Sequence, residues 1–466
     1  MYRTRQIQIK KKARLWQYAH QKCIQSACLY NRANYLIRQY ATAVRDFEDT
    51  KPLNSNQMET FLLINSLTGG TKYAPKGRWL TYGQLDYILK VSEDPAYRSL
   101  PAQSNQQILK RLIRDYKSFF EAFKAWQQNP DRFTGRPKLP GYKKRGEAVT
   151  AVFTNQICRI TDGHSLKFPG TKDRLELGSI PENTHLKEVR IKPCHGELVV
   201  DVVLEVAEIT VKRGCLTGLD EKSLRKILCG EESAGYRVAA IDPGVDNFCA
   251  VTNNFGAAPF LIKGGAIKSE NRYYNKKMAA LRSEAMRCNG RRETRRIGRL
   301  TSRRNRILKD LLHKASRRIV DWAEENQADL VILGHNAFQK QKVSMGRANN
   351  QTFVQIPYRV FAGMLRYKLE EKGIAFLETE ESYTSKADYL AGDRIPIYGE
   401  EQKDNPPVFS GKRIQRGLYL HYDGTRSNAD INGAANILRK VIPNLTGWDR
   451  GAVDAPYVVR IAQAAG

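Results

Sequence analysis

The chain has little with which to cross-link itself. Its eight cysteines, Cys23, Cys28, Cys158, Cys194, Cys215, Cys229, Cys249 and Cys288, are scattered, and no two stand in C-x-x-C spacing. Neither a zinc knuckle nor a disulfide framework can be read from them, and buried or incidental thiols in a reducing cytoplasm are the plain expectation. Long apolar stretches are missing too. Nowhere do about 18 apolar residues run together, which argues against a membrane-spanning helix. The N-terminus, MYRTRQIQIKKKARLW, is charged without the apolar stretch of a signal peptide. Acid is the third shortage: 48 Asp and Glu face 77 Lys and Arg, a formal charge of +29. So large an excess seeks a polyanion, and nucleic acid answers better than a membrane surface. The expectation is a prokaryotic cytoplasmic, nucleoid-associated protein with no membrane partner.

At 466 residues the chain exceeds what a single core holds, so several domains are expected. Residues 2–10 alternate, with Tyr2, Ile7 and Ile9 among polar neighbours, as a strand does. From Ala13 the period lengthens: Leu15, Ala19, Cys23, Ala27, Tyr30, Ala33 and Leu36 fall at helical steps. A polar stretch (50–80) intervenes before NQQILKRLIRDYKSFFEAFKAW resumes the helical pattern, ending before Pro130, so 13–130 reads as one helical insert. Two prolines and two glycines in GRPKLPGYKKR (135–145) cannot continue a helix, and its lysines suit a loop facing phosphates. Short β-rich segments follow to residue 210. With the first strand they suggest a small antiparallel barrel or sandwich made of 1–12 and 131–210. Residues 211–234 are polar and read as a linker. From 235 to 385 strands alternate with helices in the α/β manner, including a basic helical region over 268–326. An irregular insert (386–423), a return to the core (424–442) and a tail (443–466) complete the chain.

Three acidic sites stand where strands or helices begin or end. Asp242 follows the apolar run Val238 to Ile241 and precedes Pro243-Gly244, where a turn role competes. Glu380 and Glu381 end the strand expected at 374–379, and Asp430 lies in NADINGAAN, where helix capping competes. Three convergent carboxylates can hold two divalent cations about 4 Å apart, and hard Mg²⁺ prefers oxygen ligands. The small residues Ala429, Gly433, Ala434 and Ala435 would let that helix approach the sheet closely. In 291–318, Ile297, Leu300, Ile307, Leu311 and Leu312 form a core stripe, while Arg291, Arg292, Arg295, Arg296, Arg303 and Arg304 would track phosphates. Tyr142, Tyr273, Tyr274, Trp16 and Trp126 lie among basic residues and could stack bases, though most helical aromatics are core.

Asp242-Pro-Gly-Val-Asp-Asn-Phe, Arg272-Tyr-Tyr-Asn-Lys-Lys, Glu381-Ser-Tyr-Thr-Ser-Lys386 and Asn428-Ala-Asp-Ile-Asn-Gly-Ala-Ala-Asn436 resemble the transposon-associated TnpB (OrfB) family and the miniature type V CRISPR effectors. The resemblance runs through nearly the whole chain. It implies a multidomain α/β plus β-barrel fold: an RNase H-like (RuvC) nuclease core, an N-terminal wedge β-barrel, a helical recognition insert at 13–130 and a target nucleic-acid-loading insert at 386–423. It also implies an RNA-guided DNA endonuclease using two Mg²⁺ ions, for which Mn²⁺ can substitute. Guide RNA and double- and single-stranded target DNA would be its partners, with monomer and homodimer both open. Asp242 and Asp430 match the family's first and third acids. The second departs, because Val331-Ile-Leu-Gly-His-Asn336 holds no acid where most members read Ile-Glu-Asp-Leu-Asn. Glu381 is inferred to stand in as catalytic residue and metal ligand, with Glu380 the fallback. The family's zinc ribbon is missing as well, so Tyr389, Pro396, Tyr398, Pro406, Tyr419 and Tyr422 are left to order the insert. Nucleic-acid contacts are expected from Lys138, Tyr142, Lys143, Lys144, Arg145, Arg272, Lys276 and Lys386, beside the six arginines above. Two alternatives stay open: a nuclease-inactive guide-directed repressor, and an RNA-independent RNase H-fold nuclease or resolvase, which the basic front half disfavours.

Overall fold

The alternating N-terminal strand pairs along its whole length with a strand almost two hundred residues later. In the computed structural model, which describes residues 2–180, 184–206, 216–230, 235–290, 292–335, 355–397, 407–443 and 455–462, β1 (Tyr2–Ile9) is followed by five helices. These are α1 (Leu15–Glu48), α2 (Ser55–Thr68), α3 (Tyr82–Val91), α4 (Pro95–Arg98) and α5 (Ala102–Gln128). The strands β2 (Ala151–Thr154), β3 (Arg159–Thr161), β4 (Ser165–Lys167), β5 (Arg174–Glu176), β6 (Thr184–Cys194) and β7 (Glu197–Val206) come next. β1 lies antiparallel to β7 in a four-stranded sheet, β1-β7-β6-β2, and β3-β4-β5 make a second sheet. Both sheets share one core, where Phe153, Phe168, Val189 and Val200 meet Leu15, Ala19 and Cys23 from α1. The rest of α1 packs on the other helices through Leu36, Ile64, Leu85, Ile88 and Leu109. α2 falls in the polar stretch that breaks the helical pattern. A capping box of Asn54 and Gln57 starts it, and it buries mostly polar side chains, so its sequence carries no clear apolar stripe.

The second compact unit, Ile209–Gly466, holds a six-stranded sheet. Its elements are α6 (Glu221–Leu228), β8 (Val238–Pro243), β9 (Asn247–Asn253), β10 (Phe260–Lys263), α7 (Gly265–Asn289) and α8 (Arg295–Glu325). They continue with β11 (Leu330–Gly334), α9 (Tyr358–Glu370), β12 (Ala375–Thr379), β13 (Lys412–Gln415), β14 (Leu418–Leu420), β15 (Arg426–Asn428), α10 (Ala429–Val441) and β16 (Tyr457–Arg460). The order is β12-β11-β8-β9-β10-β16. β8, β9 and β10 run antiparallel in succession, while β11 and β12 lie parallel to β8 and to each other. One face packs on α8 and α9 through Ile241, Phe248, Leu311, Ile319 and Phe361, and the other on α10 through Ala240, Ile332, Leu377 and Ile437. Covered on both faces, these strands need the near-continuous apolar runs they have.

Two segments differ from the sequence reading, and the basic helices of 268–326 are delimited. The polar segment 211–234 contains α6, whose Asp220 cap bonds Ser223 N–H and whose Leu224 and Leu228 join the core. The tail contributes β16, parallel to β10 with Phe260 opposite Tyr457. The basic region 268–326 is two helices, because Gly290 ends α7 with φ at +61°, a left-handed cap that glycine adopts without strain. Among the described residues no helix is long and apolar enough to cross a membrane.

Candidate active site

Asp242 sits where β8 runs out. The turn after it closes tightly: Gly244 N–H donates to Phe248 O at 3.2 Å, and the Tyr358 hydroxyl donates to Gly244 O at 2.8 Å. A Cβ on Gly244 would fall 2.6 Å from Asn247 O, so only glycine fits this turn. Burial, then the negative charges of Glu381 and Asp430, push the Asp242 carboxyl well above the usual carboxylate range, against a smaller opposing pull from Arg413. Acids some 140 and 190 positions away in the chain thus act on one carboxyl group.

Glu381 reaches this point because β11 and β12 are neighbours in register, Gly334 opposite Thr379. A Cβ at Gly334 would lie 3.3 Å from Glu381 Oε2 and 2.4 Å from Ile437 Cδ1. The strand position without a side chain is therefore the space that Glu381 and α10 use. Glu380 points elsewhere. Its carboxylate pairs with Lys440 and accepts Ser382 N–H at 2.6 Å. Burial pushes its carboxyl up, but the bonds from Lys440 and Ser382 outweigh that and hold it below the usual range.

Asp430 is free of the capping role that competes for it in the sequence, because Asn428 caps α10, accepting Asp430 N–H at 3.0 Å and Ile431 N–H at 3.3 Å. One turn on, a Cβ on Gly433 would lie 2.5 Å from Asp242 Oδ2, so the helix touches the β8 acid directly. Farther along, Asn432 Nδ2 donates to Ala387 O at 2.9 Å, and Asn436 Nδ2 to Thr384 O at 2.9 Å and Ala387 O at 2.6 Å. These asparagines stitch the helix of Asp430 to the loop that follows Glu381. The sequence reading missed their role, although their spacing of four places them on one helical face. It also missed a buried chain in which His421 Nδ1 lies 2.6 Å from Asp388 Oδ1 and Nε2 lies 2.8 Å from Ser427 Oγ. Tyr389 and Tyr419 flank that imidazole at 5.1 and 5.2 Å. Polar bonds, with the two tyrosines as walls, thus order the described part of the insert. Tyr398 and Pro406, expected to help, lie outside the described residues.

The donor set is all carboxylate oxygen, which suits Mg²⁺ or Mn²⁺, and the two glycines leave room beside it. Among the described residues, however, no three His, Cys, Asp or Glu side chains stand ready around a common point. Asp430 Oδ2 accepts from Asn247 Nδ2 at 2.5 Å, and Oδ1 lies 3.3 Å from Arg413.

The expected nucleic-acid contacts fall on both units. In the first, Lys138, Tyr142, Lys144 and Arg145 are exposed on a loop pinned to α1. Asn31 exchanges two bonds with the Lys143 backbone, and Asn34 and Arg38 donate to Pro140 O. The Lys143 ammonium lies 4.5 Å over the Tyr30 ring, and Arg38 lies 5.0 Å over Tyr142. In the second, Arg272, Lys276, Arg292, Arg295, Arg303 and Lys386 are exposed, and so is Arg296, which has Glu284 3.3 Å away. Arg304 is turned inward, bonded to Asn271 Oδ1 and to Gln355 O, so it braces α7 against α8. Arg291 lies outside the described residues.

Both matches to family models lie within the second unit. Residues 227–339 match the OrfB_IS605 family, described as a probable transposase, and residues 358–437 match a Cas12f1-like TNB domain. A TnpB-like protein, ORF457 of Acidianus two-tailed virus, is 26% identical over 234 residues, covering 47% of this chain and 45% of its own length. The chain therefore spans under half of that relative. InsQ of Escherichia coli (strain K12), named for RNA-guided DNA endonuclease activity, is 23% identical over 388 residues, covering 79% of this chain and 81% of InsQ. Among solved structures, a Cas12f1–sgRNA–target DNA complex aligns over 90% of this chain and 81% of that one, at 14% identity and a TM-score of 0.45.

Proposed function

The chain belongs to the TnpB (OrfB) family, and from that premise we propose that it is an RNA-guided DNA endonuclease whose acids Asp242, Glu381 and Asp430 form a RuvC-type two-metal site. The observation that carries this is the field of Glu381 and Asp430 on Asp242 at one end of the six-stranded sheet. The strand order, with three antiparallel strands followed by two parallel ones, supports an RNase H-like core over 235–385 and 424–442. The two antiparallel sheets of the first unit support a wedge-like β-barrel from 1–12 and 131–210, and α1 to α5 support a recognition insert at 13–130. Residues 386–423 would then load the target strand without a zinc ribbon.

Two Mg²⁺ ions, or Mn²⁺ in their place, would activate water and stabilise the leaving oxygen when bound by these acids. The chain's own part is arrangement. Gly334 admits Glu381 to the sheet edge, Gly433 lets α10 meet Asp242, and the Asn428 cap spares the Asp430 side chain the capping role. Burial first, and then the charges of Glu381 and Asp430, raise Asp242, and a bound cation would offset both. The exposed cations of both units would hold guide RNA and DNA by their phosphates, while base pairing reads sequence.

A ribonucleoprotein purified with its own RNA and given Mg²⁺ and a matched double-stranded target tests the reading. Wild type should cut and Asp242→Ala should not, and chelation by EDTA should stop the reaction. Equal cleavage by both proteins would falsify the assigned site. Target binding with no cleavage by wild type would instead support a guide-directed repressor, which the Gly334 position, without an acid, favours. Absence of a discrete co-purifying RNA would favour the resolvase reading.

A further inference from the structure

Beside the acids opens a cleft of about 1020 Å³, walled by the turn 244–247 with Lys263 and Lys268 and, opposite, by the β13–β14 hairpin with Arg413 and Arg416. Its charges are paired with one another. Lys268 and Arg416 both contact Asp246, Arg413 lies 3.3 Å from Asp430 Oδ1, and Lys263 donates to Asn247 Oδ1 at 2.8 Å. Asn247 in turn donates to Asp430 Oδ2 at 2.5 Å. Both oxygens of Asp430 are thus occupied by donors, and an oxygen so occupied has less to offer a cation. Among the lining residues, four cations face only two acids, so a positive surplus remains.

The arginine contacts are of the exchangeable kind. The side chains of Arg413 and Arg416 are 42% and 81% exposed, and such pairs are weak, because water and salt screen them. A phosphodiester is a better partner for a guanidinium fork than a lone screened carboxylate. The backbone beneath them is fixed, however. His421, just past β14, is locked between Asp388 and Ser427, and Asp388 Oδ2 also accepts Tyr422 N–H at 2.8 Å. An exchange of partners therefore falls to the side chains alone.

Resting on the reading of these acids as a metal-binding nuclease site, we propose that the cleft seats a phosphodiester of single-stranded DNA, and that Arg413 and Arg416 leave Asp430 and Asp246 for that phosphate. The strand itself then releases Asp430 to the cation. Strand and metal must bind cooperatively, each tightening the other by the same factor. A chain without its strand holds its third acid back.

The test uses the guide-loaded protein, Mn²⁺ followed by electron paramagnetic resonance, and a short single-stranded DNA with phosphorothioate linkages. A neutral methylphosphonate strand of the same sequence is the control. The anionic strand should tighten Mn²⁺ about fivefold or more, and the neutral strand should not. Arg413→Gln should tighten Mn²⁺ with no strand present and cancel the strand's effect. Arg413→Gln and Arg416→Gln should each lower the log–log salt slope of strand binding by about 0.7. Independent binding of strand and Mn²⁺ in wild type, or unchanged Mn²⁺ affinity in Arg413→Gln, overturns the exchange. Asp430→Asn separates the two levels. If it leaves Mn²⁺ binding intact, the metal-site reading falls and the exchange with it; if it weakens Mn²⁺ while Arg413→Gln does nothing, the exchange alone falls.

Discussion

Gly433 shows how little tolerance the site has at the scale of one residue. Alanine is the better helix former, so Gly433→Ala should leave the melting temperature within a few degrees of wild type or raise it. Yet the added methyl would stand 2.5 Å from Asp242 Oδ2, and that carboxylate must move to admit it. The expected outcome in the cleavage assay is a loss of at least tenfold with the fold intact; unchanged cleavage would mean that Asp242 can move without cost. The neighbouring glutamates separate in the same way. Glu381→Gln should abolish cleavage, while Glu380→Gln should keep it, because Glu380 is engaged by Lys440 and Ser382 rather than by the other acids. The reverse result would transfer the role to Glu380.

Between elements, a buried amine joins α9 to α8. Lys368 is 4% exposed, and its ammonium donates to His313 O at 3.0 Å and Ser316 Oγ at 2.7 Å. Burial, helped by the charge of Arg317, lowers its pKa to about 8. The unfolded chain holds this proton up to the ordinary lysine value and the folded chain releases it near 8, so between these limits the unfolded state binds more protons. Stability from this residue therefore rises with pH across that window, and the burial penalty is fully present below it. Lys368→Met should be neutral or stabilising at pH 7. In denaturant titrations it should also remove a rise on the order of 2 kcal/mol between pH 8 and 10 that wild type shows. A parallel pH dependence in both proteins would contradict the assignment.

For the whole molecule, the governing quantity is the charge of +29. A native chain that binds its RNA is stabilised by mass action, and phosphate contacts weaken steeply with salt. The co-purifying RNA should raise the melting temperature at low salt, and most of that gain should vanish between about 50 and 200 mM salt, over which six to ten phosphate contacts lose roughly a thousandfold or more in affinity. Differential scanning at several salt concentrations measures it; a salt-independent gain would point to apolar rather than phosphate recognition.

What lies close together in the chain is legible in the sequence by itself. Alternation gives β1, apolar runs give β8 and β12, three- and four-residue steps give α1 and α5, and composition gives the polyanionic partner. The acids Asp242, Glu381 and Asp430 can be named because each borders a recognisable strand or helix. Elements with weak apolar pattern escape: α6 in a polar segment, and β16, whose register exists only because β10 offers an edge. Only the tertiary structure decided that Gly334 is the space Glu381 enters, that Asn428 rather than Asp430 caps α10, that Glu380 belongs to Lys440 and that Arg304 turns inward. Local sequence fixes propensity and period. Which carboxylate faces which cation is set by strand register and helix approach, and those are decided by contacts between residues far apart in the chain.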